Sequence, residues 1–234
     1  MTDRDYTAEE MMTVAAARQL TNGTVCFVGI GLPSAAANLA RLTHAPDVVL
    51  IYESGTIGTR PDVLPLSIGD GELAETADAV VSVVEMFDYW IGPGRVQVAF
   101  LGAAQVDRHA NLNSTVIGDY EQPKTRLPGA GGAPEIALGC PEVVVIAPHS
   151  PRTFVGQLDF RTTSGRHTTA VITDLGVLEP RDGELTLTAL HPGVTVDEVR
   201  AATGWELRVA DEPAVTPEPT DEELSALREL IGRG

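Results

Sequence analysis

Apolar residues in this chain gather in short unbroken runs instead of alternating with polar ones. Thr24 to Val28, Val48 to Tyr52, Val96 to Leu101 and Glu142 to Ala147 all read as strands of this kind. A strand that is apolar on both sides belongs in a sheet covered on both faces, the usual setting of parallel strands. Ala79 to Val84 reads as a further strand, separated from Val96 to Leu101 by a short helical or irregular piece that carries Phe87, Tyr89 and Trp90. Helical stretches are interleaved with the strands. Residues 7 to 20 open on Thr7 with Glu10 three positions later, a capping box, and stop at Asn22-Gly23. After the turn Gly29 to Pro33, Ser34 is placed to cap a helix that runs to about Arg41.

The second half adds different elements. Gln105 to Tyr120 is polar, with Asp107, Asn111, Asn113 and Asp119, and predicts an irregular hairpin beside the sheet that lines a cleft. A short helix and a strand follow residue 133, and Ala170 to Thr173 is again strand-like. Leu178 to Leu190 predicts a hairpin turned at Asp182-Gly183, and Thr195 to Ala202 a short helix. The proline-rich stretch Pro213 to Thr220 leads to a terminal helix, capped by Thr220 with Glu223 and apolar along Leu224, Leu227, Leu230 and Ile231. The expected fold class is α/β: an open, mostly parallel sheet with helices on both faces, plus a small antiparallel hairpin element. Residues 1–213 form one domain, and residues 214–234 are a connector and a helix packed on the domain or on a partner. No internal repeat is visible.

Composition narrows the partners. With Asp+Glu 33 against Lys+Arg 16, the net charge of -17 repels nucleic acid and anionic membranes over long range. Local groups such as helix N-termini still admit an anionic ligand. Met1 to Glu10 has no apolar stretch of signal type and no run approaches a membrane span, so the expected location is the cytoplasm. Cys26 and Cys140 lie in apolar runs outside any paired-cysteine motif and read as small core residues. His44, His109, His149, His167 and His191 have no metal-ligand spacing, so no metal is expected.

Five places could carry chemistry. Glu53 follows the strand ending at Tyr52, where open α/β sheets place their ligand crevice, with Ser54-Gly55 allowing close approach. It is a nucleophile candidate, or else a rim glutamate paired with Arg60. Gly29 and Gly31 invite a dinucleotide reading, but the fingerprint needs glycine at 34, where this chain has Ser34. That loop is then either a tight turn near an active site or a structural turn. Gly129, Gly131 and Gly132 stand directly before a helix and could turn backbone amides toward an oxyanion or phosphate, or serve close packing alone. Lys124, the only lysine, and Arg126 precede that loop and could neutralise a phosphate or pair with a surface acid. Phe87, Tyr89 and Trp90 could line an acyl pocket, or belong to the core or a subunit interface. Gly-x-Ser-x-Gly is absent.

Six ordered motifs, Gly29 to Pro33, Tyr52 to Gly55, Gly102 to Asp107, Ile117 to Tyr120, Pro123 to Arg126 and Gly129 to Ala133, together resemble the beta subunit of a class I CoA-transferase, with similarity from about Glu9 to Glu229. The resemblance implies that Glu53 accepts the acyl group and that Gly131 and Gly132 belong to a loop closing over the thioester. It implies coenzyme A thioesters as substrates with no tightly bound cofactor, a dicarboxylic acid as acceptor, and a homologous alpha subunit that grips most of the CoA in an αβ heterodimer or higher oligomer. An acyl-CoA hydrolase on the same scaffold and a noncatalytic structural subunit are the rival readings. Two departures stand out. Ala110 lies where relatives have glycine, implying a different turn, and the glycine-rich stretch that relatives carry between their counterparts of His167 and Ala170 is missing.

Overall fold

Strand residues take opposite faces in turn, and here both faces are buried. The computed structural model describes residues 5–232; Met1 to Arg4, part of the segment read for a leader, and residues 233 and 234 lie outside them. The elements are α1 (Ala8–Ala17), β1 (Val25–Val28), α2 (Leu32–Leu42), β2 (Val49–Ile51), β3 (Thr56–Ile57), α3 (Gly71–Glu75), β4 (Ala79–Val80), α4 (Val83–Glu85) and a π-helical turn (Met86–Ile91). Then come β5 (Val98–Leu101), β6 (Gln105–Val106), β7 (Leu112–Asn113), β8 (Val116–Gly118), β9 (Pro123–Arg126), α5 (Ala133–Gly139) and β10 (Glu142–Ile146). The chain finishes with β11 (Thr168–Ile172), β12 (Gly176–Arg181), β13 (Glu184–Leu190), α6 (Val196–Ala201), β14 (Arg208–Val215) and α7 (Asp221–Gly232).

Ten strands form one sheet in the order β14-β13-β12-β11-β10-β5-β1-β2-β3-β4. From β2 through β1, β5 and β10 to β11 every pairing is parallel, while β12 runs antiparallel to both its neighbours and β3 and β4 fold back antiparallel at the other edge. Cys26, Val28, Leu50, Phe100, Val144 and Ile146 meet α1, α2 and α7 on one face. Phe27, Ile51, Ala99, Leu101, Val143 and Val145 meet Met86, Ile91, Ile136 and Trp205 on the other. This two-sided burial is what the unbroken apolar runs encode. Cys26 and Cys140 are buried free thiols, and burial pushes the Cys140 thiol up to about 12.

The local start and turn signals act largely as expected. Thr7 and Glu10 cap α1, Thr195 caps α6, and Asp182-Gly183 turns the β12–β13 hairpin. Thr220 accepts from the Glu223 amide at 3.2 Å at the start of α7, whose Leu224, Leu227 and Leu230 are buried; Ile231 is not on that face and stands 51% exposed. Arg18 to Glu223 and Arg228 to Glu10, each at 2.6 Å, tie α7 to α1.

Three expectations are corrected. Ser34 is not a cap: α2 starts earlier, with Gly31 at its N-cap, and the Ser34 hydroxyl is buried against the Tyr52 hydroxyl at 2.8 Å. The strand from Ala79 ends at Val80, because Ser82 and Glu85 make a capping box that turns residues 83–91 helical despite two valines. The turn at Ala110 keeps the left-handed backbone that glycine favours, with φ 58°. Among the described residues no helix is long and apolar enough to cross a membrane.

Candidate active site

Parallel strands end together, and β1, β2 and β5 end at one opening. Gly29 and Ile30 follow β1, Glu53 follows β2, and Leu101 to Ala104 close β5; with Ser114, Leu127 to Gly131 and Ala133 they line a cavity of about 410 Å³. The strand order reverses beside β1, whose two neighbours are β2 and the later β5, so the cavity sits at the switch point where open sheets bind ligands. Gly29 is needed there because a Cβ would stand 3.0 Å from the Phe100 carbonyl. The N-termini of α2 and α5 both adjoin this opening, and their partial positive charge favours an anion.

Glu53 sits at the tip of a tight reversal. The Tyr52 amide donates to the Thr56 carbonyl at 3.1 Å, the Gly55 amide donates to the Tyr52 carbonyl at 3.0 Å, and β3 returns alongside β2. Gly55 has φ 96°, and a Cβ there would overlap the Val81 carbonyl, so no side chain fits. Tyr52 is anchored on the α2 face through Ser34 and Asn38, and Glu53 turns to the face that carries α5. Burial raises the Tyr52 hydroxyl to about 12, so it is a neutral anchor.

The glycine loop meets this carboxylate directly. The Gly132 amide donates to Glu53 Oε1 at 2.9 Å. A Cβ on Gly132 would stand 3.0 Å from the same oxygen and collide with the Phe87 ring. Gly129 and Gly131, at φ 106° and 49°, supply the left-handed turns that aim the amide. Ser114 pins the loop: its hydroxyl donates to the Gly129 carbonyl at 2.9 Å and its carbonyl accepts the Gly129 amide at 2.9 Å. A half-buried carboxylate held by one amide, beside apolar walls and two helix N-termini, can attack an acyl carbon and keep a donor on its own carbonyl oxygen afterwards.

The other candidates separate. Arg60 pairs with Asp78 at 2.8 Å rather than with Glu53. Gly31 is the exposed N-cap of α2 and is not part of the cavity wall. Lys124 and Arg126 are exposed on β9 outside the wall, and Arg126 lies 4.8 Å over the Tyr120 ring. The polar hairpin does not line a cleft as expected. Asp107 and Asn111 bind each other and the turn, while Asn113 bonds Gln105 at 2.7 Å in the interior. Only Ser114, which the sequence did not single out, reaches the cavity from there. Among the described residues no group of three or more His, Cys, Asp or Glu is placed to hold a metal ion.

Known proteins resemble this chain over most of its length. The family model "Coenzyme A transferase" matches residues 9–202. The chain is 59% identical, over 97% of its length and 94% of the relative's, to the B subunit of 3-oxoadipate CoA-transferase from Pseudomonas knackmussii. It is 32% identical, over 86% of its length and 81% of the relative's, to a cholesterol ring-cleaving hydrolase IpdB subunit of Rhodococcus jostii. The crystal structure of glutaconate coenzyme A-transferase from Acidaminococcus fermentans superposes with a TM-score of 0.89 at 32% identity, covering 97% of this chain and 95% of the other.

Proposed function

The chain belongs to the coenzyme A transferase family, and from that premise we propose that it is the B-type subunit of a 3-oxoadipate CoA-transferase that moves CoA from succinyl-CoA to 3-oxoadipate through a glutamyl-CoA thioester on Glu53. The observation that carries the mechanism is the Gly132 amide on Glu53 Oε1. With that oxygen engaged, the other carboxylate oxygen attacks the succinyl carbonyl and expels CoA thiolate, leaving a mixed anhydride. The thiolate then attacks the glutamyl carbonyl, releases succinate and forms the thioester. The 3-oxoadipate carboxylate repeats the sequence in reverse, ending in 3-oxoadipyl-CoA and free Glu53. Each attack on the glutamyl carbonyl puts negative charge on the oxygen that the Gly132 amide holds. A donor so placed is worth roughly 3 to 4 kcal/mol in the transition state.

The cavity wall contributes one titratable side chain, Glu53, and no cation. The second carboxylate of 3-oxoadipate and the phosphates of CoA therefore draw their counter-charges from outside it, from a homologous partner subunit and from Lys124 and Arg126. The test is the co-expressed complex assayed for CoA exchange over a panel of acids. Exchange from succinyl-CoA to 3-oxoadipate, lost in Glu53→Gln with assembly retained, is the expected result. Release of free CoA without acceptor dependence would favour the hydrolase that the IpdB relative exemplifies. Undiminished exchange in the glutamine variant would leave this chain a structural subunit.

A further inference from the structure

Phe87 is an apolar residue held by a rare backbone geometry against Gly132, the glycine whose amide binds the reacting carboxylate. The point where a Gly132 Cβ would lie is overlapped by the tip of the Phe87 ring and stands 3.0 Å from Glu53 Oε1, so ring and carboxylate flank the same glycine. Phe87 does not line the cavity; its ring lies beside Gly132, the residue whose amide holds Glu53. Its neighbours Val83, Val84 and Tyr89 are exposed, whereas Phe87 is half-buried against the core.

A π-helical turn puts it there. The Gly92 amide donates to the Phe87 carbonyl at 2.8 Å and the Arg95 amide to the Trp90 carbonyl at 2.9 Å, both five residues apart. Such turns are rare and concentrate at functional sites. Met86 and Ile91 are fully buried and fix the turn, and Ile91 packs where a Cβ on Gly139 would fall. Glycines thus mark both ends of α5, one admitting Phe87 and the other Ile91.

We propose that Phe87 shields the glutamyl carbonyl from water and so sets transfer over hydrolysis; this rests on Glu53 carrying the acyl group. Water attacking the glutamyl-CoA carbonyl would break the C–S bond, regenerate the Glu53 carboxylate and release CoA thiol, making the enzyme a thioesterase. A benzene ring beside Gly132 offers water no hydrogen-bond partner on that flank of the glutamyl carbonyl.

The test measures, in the complex with the partner subunit, free CoA thiol released from succinyl-CoA against 3-oxoadipyl-CoA formed, together with the Glu53–CoA adduct by peptide mass. Phe87→Ala raises the ratio of hydrolysis to transfer about tenfold, and Phe87→Leu raises it less. Should the alanine variant fail to assemble, the leucine variant carries the comparison. An unchanged ratio in a variant that still forms the adduct overturns the role of Phe87. Absence of the adduct in the unsubstituted complex overturns the covalent mechanism itself, a separate outcome.

Discussion

The parallel half of the sheet and its mixed half treat polar groups in opposite ways. Where β1, β2 and β5 end, glycines at positive φ hold the backbone open, and Glu53 with the Gly132 amide faces a cavity. In the half from β11 to β14, polar groups are drawn inside and paired. His149 stacks on Phe154 and bonds Thr203 at 3.0 Å, and His191 bonds Thr216 and the Thr173 carbonyl, each at 2.7 Å. Chemistry in an α/β sheet needs groups that are held but not used up, and Glu53 in the first half is such a group. His149 and His191, of a residue type most often thought of as reactive, are here buried and paired.

Substituting Gly132 by alanine attacks the first half where it is tightest. The added carbon displaces both the Phe87 ring and the Glu53 carboxylate, so transfer falls about 100-fold while thermal unfolding and complex formation change little. A variant with wild-type kcat would mean that the amide and carboxylate need no such alignment.

His149 tests the second half. Burial pushes its pKa from 6.5 down to about 4. Because the unfolded chain binds the proton more readily, stability is full above about pH 6.5 and drains as pH falls toward 4. At pH 5 the loss relative to pH 7 amounts to about 2 kcal/mol from this residue. His149→Gln should be less stable at pH 7 but should flatten the pH dependence of urea unfolding by that amount. Equal slopes for both proteins would return the acid sensitivity to other groups.

The smallest effect belongs outside the large sheet, on β9, which pairs only with β8. Lys124→Met is expected to raise KM for CoA esters a few-fold with kcat unchanged, since it lies outside the cavity wall and could reach only a remote part of the ligand. A fall in kcat at constant KM would bring the residue into the reaction itself.

Much of the fold is legible in the sequence because its signals are local. Unbroken apolar runs report two-sided burial, and Thr7 with Glu10 and Thr220 with Glu223 mark helix starts. Glu53 and the glycine loop are visible as a strand end and a helix start. Their meeting is not, because residues 53 and 132 are brought together only by the sheet order. The same holds for Phe87, whose contact with Gly132 depends on a π-helical turn that no spacing of apolar residues encodes. Ser82 with Glu85 is a readable capping box hidden behind valine-rich strand propensity, and Ser34 reads as a cap although its hydroxyl serves Tyr52. The hairpin around Asn113 looks like a cleft because asparagines that satisfy buried backbone resemble, in sequence, asparagines that greet a ligand.

The central claim is that Glu53 carries the acyl group and then CoA. The direct measurement is to incubate the complex with succinyl-CoA and no acceptor, reduce with borohydride, digest, and map the mass change. The account predicts a reduced glutamyl residue at position 53 and none in Glu53→Gln. An adduct on any other peptide, or full turnover with no adduct at all, would contradict it.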